Sequence, residues 1–587
     1  MKTQEEFDVI VLGAGLAGLS LCRQLLLNGN DKKILLLDNR GDLPGAKQKV
    51  GESLVQVAGY YYSRVLDLEE HLLREHYPKY NLRFHWKTAG RANKDLLDYS
   101  HSYIGKGSNV ATYQLNRNKL EEHLLALARE NPNVTLSAPI AALQVDLSEN
   151  GPHLVSFQKD GTAQEVRAGW VVDTTGRAQI LKKKKSLKVE SPIRHGSSWC
   201  WVEGLVNIEK LTDLSQDEIR RRRDAQKQGL FPIWLATNHF CGEGLWFWII
   251  PLQGLTSLGV VYDSSLYPHE KFSTAEKMLR WICEEFPLFQ RDLPKRKILD
   301  SARFTEFSYD CKQTISSSRW AMSGMSGRFS DPLYSPGSDL IAFYNTFIVD
   351  AILEKDPDQL KMKAQIYEAM MKVLYDAYVP SYFVSYDVLG DQEIFTLKYG
   401  WELAVYFAFY AFPFINGLFT NLRFAKFFFR KFALLGPINR NLQKFLSDYY
   451  QWKKMRPPRE EPIASDFLDL TSLKRMEMSY YKTGLSIDLA EEELEGHLSN
   501  LKEFARFIYA YVSSIVLGDN QALLNVAFVS SIKLSSLSFN PEALRQAYAS
   551  HAGCSETYDW NVDPFVMEKF RTQVVDNSAS VAAANRQ

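Results

Sequence analysis

The chain has 587 residues, too many for one hydrophobic core, so we expect two or three packed subregions. Its 69 basic residues balance its 69 acidic ones, so no global field attracts nucleic acid, and we expect no nucleic-acid partner. With 34 Phe, 29 Tyr and 12 Trp it is aromatic-rich, which fits either large cores or a site for a flat, lipophilic ligand.

The six cysteines are scattered, and no His or Cys cluster has zinc-ligand spacing, so we predict no metal site. Few cysteines in a long chain fit a reducing compartment. The N-terminus enters a predicted strand at once and leaves no room for a signal peptide. The sequence therefore predicts a cytoplasmic protein.

The first forty residues predict a βαβ unit that binds a dinucleotide. Residues 7–12, FDVIVL, form a buried strand, an apolar helix ends at Gly29, and a second buried strand ends at Asp38. Between strand and helix, GAGLAG has GxGxxG spacing, which permits a tight turn, close approach to a pyrophosphate and close packing of helix on strand. The helix N-terminus attracts phosphates, and the acidic residue can accept ribose hydroxyls. The predicted nucleotide-binding residues are Gly13, Ala14, Gly15, Ala17, Gly18 and Asp38.

The rest of the chain changes character twice. Strands and helices alternate from about 100 to 190, and the Trp-, Val- and Ile-rich segment from about 195 to 265 predicts antiparallel strands. From about 340 onward the pattern is helical.

The stretch at 401–419, WELAVYFAFYAFPFINGLF, is long and apolar, and basic residues interleave with phenylalanines after it. A membrane span needs about 20 apolar residues, but this stretch carries Glu402 and a Pro-x-x-x-Gly break. We favour a buried helical hairpin or a lid over a lipophilic pocket. A helix lying in the membrane interface is the alternative, because such helices interleave basic and aromatic residues.

Three later motifs, in order, resemble those of the two-domain flavoprotein monooxygenases. YQLNRNKLEEHL is similar to their arginine-bearing helix, DTTGRA to their second flavin motif, and MSGMSGRFSDPLYSPG to the segment that meets the flavin ring and ribityl chain. The resemblance implies FAD as the cofactor. The residues it implies at the cofactor are Arg117, Asp173, Arg177, Gly324, Asp331 and Gly337.

Two more motifs resemble the flavin-dependent halogenases. VGESLV carries their GES motif at Gly51, Glu52 and Ser53, which the resemblance also places at the cofactor. WFWIIP fits their WxWxIP pattern, which keeps substrate away from the flavin; a plain core strand with tryptophans is the alternative. The implied tunnel residues are Trp246, Trp248 and Pro251.

This resemblance, which covers about the first 350 residues, implies an α/β fold. It combines a Rossmann-like FAD-binding domain with an antiparallel β-sheet substrate domain and a large C-terminal helical region. The expected boundaries are 1–190 and 296–355 for the two parts of the FAD-binding domain, 191–295 for the sheet, and 356–587 for the helices that cover the substrate site.

The family's catalytic lysine lies between its two specific motifs, on a strand that ends in FxW. Here YPKYNLRFHW offers Lys79, seven residues before Trp86. Desolvation in a tunnel beside the flavin would lower its pKa, so that it could react with or hydrogen-bond to hypohalous acid. A surface lysine on a polar strand is the alternative.

The turn SDPLYSPG departs from tryptophan halogenases at two positions. Tyr334 occupies the catalytic position where they carry a glutamate, and tyrosine cannot be a carboxylate base at neutral pH. Because phenol- and pyrrole-type halogenases also lack that glutamate, this points to a ring more activated than tryptophan. Pro336 lacks one backbone N–H of the family's halide site, which would here comprise Ser335, Pro336 and Gly337.

The resemblance implies an oxidoreductase of natural-product biosynthesis. It would use reduced FAD, O2 and chloride or bromide to halogenate an electron-rich aromatic or pyrrole-type substrate, free, lipophilic or tethered to a carrier protein. The single dinucleotide fingerprint implies a separate flavin reductase as partner. Two alternatives stay open: a monooxygenase, oxidase or desaturase of this fold that uses no halide, and a membrane-associated flavoprotein, in peripheral contact with the bilayer, that acts on an isoprenoid or acyl chain.

Overall fold

The computed structural model describes residues 5–29, 31–104, 108–225, 232–466, 471–561, 567–568 and 570–574. Its strands are β1 (Glu6–Leu12), β2 (Ile34–Leu37), β3 (Tyr77–Pro78), β4 (Leu82–Trp86), β5 (Ser100–Tyr103), β6 (Tyr113–Gln114), β7 (Val134–Ser137), β8 (Ala141–Asp146), β9 (His153–Lys159), β10 (Thr162–Asp173), β11 (Lys188–Val189), β12 (His195–Glu203), β13 (Thr237–Gly242), β14 (Leu245–Leu252), β15 (Leu255–Asp263), β16 (Ile298–Phe304), β17 (Asp310–Cys311), β18 (Ile315–Ser316), β19 (Trp320–Met322) and β20 (Ala464–Asp466). Its α-helices are α1 (Leu16–Asn28), α2 (Gln56–Tyr60), α3 (Glu69–Glu75), α4 (Arg117–Glu130), α5 (Ile180–Lys184), α6 (Gln216–Ala225), α7 (Ala275–Glu285), α8 (Gly337–Leu353), α9 (Pro357–Phe383), α10 (Gln392–Tyr406), α11 (Phe412–Ile415), α12 (Leu422–Lys453), α13 (Thr471–Glu477), α14 (Ile487–Leu517), α15 (Val526–Ser531) and α16 (Pro541–Ala549).

The first sheet has the strand order β18-β19-β10-β1-β2-β7, with β8 and β9 continuing from β10. Strands β19, β10, β1, β2 and β7 are parallel, and the short apolar runs that form β1 and β2 are buried on both faces. Helix α1 connects β1 to β2 and packs against α4 and α8. The predicted βαβ unit is confirmed, and its glycine-rich turn lies at the carboxyl end of β1.

The second sheet has the order β16-β12-β15-β14-β13-β4-β5-β20 and is mainly antiparallel. The antiparallel strands expected from 195 to 265 are confirmed as β12, β13, β14 and β15. Strands β4, β5, β16 and β20 belong to the same sheet but lie outside the 191–295 segment to which the sequence assigned it. The second sheet is thus assembled from four separate parts of the chain, and the predicted α/β fold with antiparallel strands and many helices is confirmed.

The helices after residue 336 do not form a separate core. One continuous apolar cluster runs from α1, through α8 and α9, into α10, α12 and α14. Two smaller clusters lie between the second sheet and α7 and on the other face of the first sheet. The C-terminal helices are therefore packed directly onto the domain that carries the glycine-rich turn.

The apolar stretch at 401–419 runs through the end of α10, a π-helical turn and α11, and Trp401 and Phe409 have no exposed surface. This confirms the prediction that the stretch is buried. Two of the four basic residues that follow it face α14, because Arg423 pairs with Asp488 and Glu491, and Lys431 pairs with Glu495, whereas Lys426 and Arg430 are exposed. Of the helices in the described parts of the chain, none is long and apolar enough to cross a membrane.

Candidate active site

The glycine-rich turn has the backbone that a bound pyrophosphate requires. Gly13 has φ +101°, and a Cβ there would lie 2.9 Å from the Thr174 carbonyl oxygen. At Gly18 a Cβ would lie 2.1 Å from the Gly13 carbonyl oxygen, so α1 can approach the strand only at a glycine. Gly15, the N-cap of α1, has nothing within 4 Å of such a Cβ, which leaves open space over the helix N-terminus. This space and the free first-turn N–H groups fit a phosphate.

Asp38 follows β2 directly, as the sequence predicts. Its carboxylate accepts the backbone N–H of Ala14 at 2.7 Å and two hydrogen bonds from the Arg40 guanidinium, at 2.9 and 2.8 Å. Burial would raise the pKa of Asp38, but the hydrogen bonds from Arg40 and Ala14 outweigh it and lower this pKa. Asp38 is therefore an ionised acceptor at the edge of the glycine-rich turn, and its contact with a ribose stays a prediction.

A cavity of about 150 Å³, which we call the indole cavity, lies between the two sheets and the N-terminus of α8. Its indole walls come from Trp199, Trp246 and Trp248. The other predicted residues that line it are Gly51, Glu52, Ser53, Arg117, Gly324, Ser335 and Gly337. Flat aromatic walls, glycine backbone and two arginines, Arg117 and Arg328, suit a flavin ring, so the residues present fit the implied FAD. Pro251 lies in the same strand as the two tryptophans but does not line the cavity.

The GES motif is held from behind by the second sheet. The Glu52 carboxylate accepts the indole N–H of Trp201 at 2.6 Å and the hydroxyl of Ser257 at 2.5 Å. Burial raises the pKa of Glu52 to about 7, although these two hydrogen bonds act to lower it. Glu52 therefore fixes the cavity wall to the sheet.

A second cavity of about 220 Å³, which we call the tyrosine cavity, lies on the other side of the turn at 331–337. Seven tyrosines contribute to its walls: Tyr80, Tyr334, Tyr378, Tyr382, Tyr399, Tyr406 and Tyr410. Among the described residues that line it, the charged ones are Lys79, Asp339, Glu402 and Glu477. It is an aromatic chamber with a few titratable groups, the composition typical of a small-molecule site.

Lys79 lies at the boundary between the two cavities. It occupies the link between β3 and β4, and its ammonium donates to the Ser53 hydroxyl at 2.8 Å and to the Leu54 carbonyl at 2.7 Å. Ser53 lines the indole cavity and Lys79 lines the tyrosine cavity, so this hydrogen bond connects them. Burial lowers the pKa of Lys79 to about 7, against an opposing effect of the Asp339 charge. The side chain is only 8% exposed, so the alternative of a surface lysine is wrong.

The turn at 331–337 forms the wall itself. Tyr334 and Pro336 line the tyrosine cavity, whereas Ser335 and Gly337 line the indole cavity. Tyr334 and Ser335 have φ of +67° and +62°, a left-handed conformation that costs a non-glycine residue about 1 kcal/mol or more. Two contacts hold the turn there: the Tyr334 ring stacks on Tyr399 at 4.9 Å, and the Tyr382 hydroxyl donates to the Leu333 carbonyl at 3.2 Å.

Tyr334 does not act as a base in this setting. Burial raises its pKa well above the ordinary value, and the charge of Glu402 raises it further. The structure thus places Tyr334 as an aromatic wall of the chamber. The sequence position that carries a glutamate in tryptophan halogenases offers no proton acceptor here.

Of the cofactor residues that the later motifs imply, three lie outside both cavities, as do the glycine-rich turn and Asp38. Asp173 is fully buried, and its carboxylate accepts from Thr175, Ser326 and the Leu181 backbone. Asp331 is also buried and pairs with His195 at 2.6 Å. Arg177 stacks over the Phe304 ring at 3.9 Å. Their carboxylates and guanidinium are engaged with protein groups, so a direct contact with FAD stays a prediction for all three.

Asp339 and Glu402, two acidic residues of the tyrosine cavity, were not predicted from the sequence as candidate site residues. Asp339 follows the turn closely, in the first turn of α8, where an acidic residue usually signals helix capping. Glu402 lies within the apolar stretch at 401–419, and in the sequence it served only as evidence against a membrane span. A charged residue inside an otherwise apolar helix was the available signal, because such residues are rarely buried without a partner or a role.

Comparisons with known proteins agree with this geometry, although no protein-family model matches the chain. The chain is 26% identical over 358 residues to the flavin-dependent halogenase chlA of Dictyostelium discoideum, which covers 57% of this chain and 58% of that protein, little more than half of its length. It is 21% identical over 389 residues to 1H-pyrrole-2-carbonyl-(peptidyl-carrier protein) chlorinase of Pseudomonas fluorescens, covering 63% of this chain and 81% of that protein. The crystal structure of halogenase PltM shares the fold, with a TM-score of 0.57 over 85% of this chain and 96% of that chain at 14% identity.

Proposed function

We propose that this chain, which belongs to the flavin-dependent halogenase family, halogenates an electron-rich aromatic or pyrrole-type substrate in the tyrosine cavity. The glycine-rich turn and Asp38 would hold the phosphates and ribose of FAD, and the indole cavity would hold its ring. Reduced FAD supplies the electrons with which O2 and a halide ion give hypohalous acid.

The observation that carries this proposal is the position of Lys79 between the two cavities. A lysine whose pKa is about 7 exchanges protons readily near neutral pH, so its ammonium can donate to the oxygen of hypohalous acid. Its hydrogen bonds to Ser53 and Leu54 hold the side chain at the wall, where a reagent formed on one side meets a substrate on the other. The aromatic walls of the tyrosine cavity would limit the escape of the reagent into bulk solvent, where it would react with other groups.

Two partners follow from this function. A separate flavin reductase would supply the reduced cofactor, because the sequence has one dinucleotide fingerprint. The substrate is a small aromatic or lipophilic molecule, and the carrier-protein chlorinase among the relatives supports a tethered substrate as one form of it.

The test is product mass spectrometry after incubation with reduced FAD, O2 and bromide, with phenols, indoles and pyrroles as substrates. We expect products with the two-isotope pattern of bromine, and none when bromide is omitted. Products that gain oxygen and never bromine would contradict the proposal.

A second candidate function is oxygenation without halide, and Pro336 favours it. This residue is the N-cap of α8, so the helix that would present N–H groups to a halide starts only at Gly337. A halide-free enzyme would incorporate isotopically labelled O2 into its product at the same rate with and without bromide.

A further inference from the structure

We propose that Asp339 is the catalytic base of the tyrosine cavity and accepts the hydroxyl proton of a phenolic substrate. This inference rests on the proposed halogenation and adds to it a substrate class and a second catalytic residue beside Lys79. Asp339 would thereby supply the carboxylate base that Tyr334, in the turn at 331–337, cannot supply.

The position of Asp339 is fixed by two hydrogen bonds. One carboxylate oxygen accepts the Ala58 backbone N–H at 2.8 Å, and the other accepts the Tyr406 hydroxyl at 2.9 Å. The Tyr406 hydroxyl in turn accepts the Val57 backbone N–H at 2.9 Å, so the Tyr406 side chain is also held in place. A carboxylate offers about four acceptor sites, so each oxygen keeps a lone pair for a ligand. The residue is 1% exposed and lines the same cavity as Lys79.

The surroundings of Asp339 suit a base that works near neutral pH. Burial raises its pKa to about 7, while the Tyr406 and Ala58 hydrogen bonds and the charge of Lys79 act to lower it. The charge of Asp339 acts on Tyr378 of α9, and the other acidic residues that line the same cavity are Glu402 of α10 and Glu477 of α13. The remaining titratable groups among the described residues of the cavity wall are tyrosines.

The Glu402 carboxylate forms an ion pair with Lys398 and accepts from Gln443, both through Oε1, while its Oε2 has no hydrogen-bond partner among the described residues. The Lys398 ammonium neutralises the charge of Glu402, whereas the charge that acts on Asp339 is that of Lys79, so Asp339 is the acceptor that lies with the proposed catalytic lysine.

The chemistry balances with hypohalous acid as the oxidant. As the phenolic proton moves to Asp339, the ring carbon attacks the halogen, a carbon–halogen bond forms and the halogen–oxygen bond breaks. The departing hydroxide takes a proton from the Lys79 ammonium and leaves as water. The ring carbon then gives its proton to the Lys79 amine, and Asp339 returns its proton to the phenolic oxygen. The ring loses two electrons, the halogen gains them, and the products are the halophenol and water.

The same cavity favours a neutral, hydroxyl-bearing ring. Its tyrosines offer aromatic faces for stacking, and Asp339, Glu402 and Glu477 offer acceptors to a donor. A substrate carboxylate would meet three acidic side chains and, among the described residues that line the cavity, one base, Lys79. Phenols meet both conditions, since they are electron-rich and donate a hydrogen bond.

The experiment compares Asp339→Asn with the unchanged protein on two probes, resorcinol and resorcinol dimethyl ether. We expect kcat/KM for resorcinol to fall about 100-fold, as for the loss of a general base. The ether has no hydroxyl proton to give, so its kcat/KM should change less than about twofold. Equal losses on both probes would overturn the proposal, because a residue that only shapes the cavity, or that takes the ring proton, affects both alike.

The pH profile supplies an independent readout. Asp339 must be ionised to act, so kcat/KM for resorcinol should rise with pH through about 7, and Asp339→Asn should remove this acidic limb. Tyr406→Phe removes a hydrogen bond that lowers the pKa, so it should move the limb to higher pH. A limb that stays in place in both variants contradicts the assignment. If Asp339→Asn fails to fold, as judged by thermal unfolding, Tyr406→Phe alone decides.

The proposed function and the role of Asp339 fail on different results. If the unchanged protein halogenates none of the phenols, indoles and pyrroles, the two probes included, the proposed function fails. If it halogenates indoles or pyrroles but neither probe, the phenolic substrate class fails. If it halogenates both probes and the ratio between the probes is the same in Asp339→Asn, only the role of Asp339 fails.

Discussion

The indole and tyrosine cavities lie on two sides of one turn, yet different parts of the chain build them. The indole cavity is lined by residues between Val50 and Ile341, among them three tryptophans, three glycines and one acidic residue, Glu52. The tyrosine cavity takes much of its wall from residues 377–439, from α9 to α12, and carries three acidic side chains. Under the proposed function, the indole cavity would bind the FAD ring and the tyrosine cavity would bind the substrate. Substitutions in the C-terminal helices should therefore change the substrate without changing FAD binding.

Lys79 lies at the boundary between the two cavities and connects them. Lys79→Met should therefore have the largest effect on activity. Methionine fills a similar volume, and the buried ammonium that it removes is a group whose pKa burial depresses, so we expect the fold to persist. Halogenated product should fall about 1,000-fold, while reduced flavin is still reoxidised by O2 at its usual rate. The measurement follows product and flavin reoxidation in the same reaction.

Lys182→Met is the matched control. Lys182 is 1% exposed and its ammonium lies 4.2 Å from the centroid of the Tyr309 ring, but it lines neither cavity. Its replacement should leave the ratio of product to oxidised flavin unchanged. If both lysine variants lose product to the same extent, burial of a charge rather than position explains the effect.

Two glycines of the same turn should separate folding from cofactor binding on the indole side. Gly18→Ala forces a methyl group to 2.1 Å from the Gly13 carbonyl oxygen, and should lower the free energy of unfolding by about 3 kcal/mol. Gly15→Ala meets no protein atom within 4 Å, so its unfolding should hardly change, whereas its FAD affinity should drop about 10-fold because the methyl occupies the phosphate space. Denaturant unfolding of the apoprotein and FAD titration measure the two quantities. Full FAD affinity in Gly15→Ala would show that the phosphates bind elsewhere.

The two sides also differ in how far the sequence could predict them. The βαβ unit followed from short apolar strands and three glycines at fixed spacing, because a tight turn next to a helix admits few solutions. The indole cavity followed from motif resemblance at Glu52, Trp246 and Trp248. These signals are local, so a few residues of sequence contain them.

The tyrosine cavity could not be predicted in this way, since its walls meet through long-range packing. Asp339 is hydrogen-bonded to Ala58 and Tyr406. These three residues are far apart in sequence, so no short motif contains them. The left-handed backbone at Tyr334 and Ser335 could not be predicted from the sequence for another reason. Neither residue type favours positive φ, so contacts with Tyr382 and Tyr399 must impose it.

Pro336 lies in the wall between the two cavities, and its substitution has the smallest expected effect. Its φ of −77° and ψ of −7° are helical values open to alanine, so Pro336→Ala should keep the turn and add one backbone N–H at the N-terminus of α8. A hydrogen bond to an ion contributes about 1.5–3 kcal/mol, so we expect the KM for bromide to fall about 10-fold, with the KM for resorcinol unchanged. Steady-state rates over a bromide series at fixed reduced FAD measure it. If the rate depends on bromide in neither protein, the proline marks an enzyme that does not use halide, and the indole side then delivers oxygen rather than halogen to the tyrosine cavity.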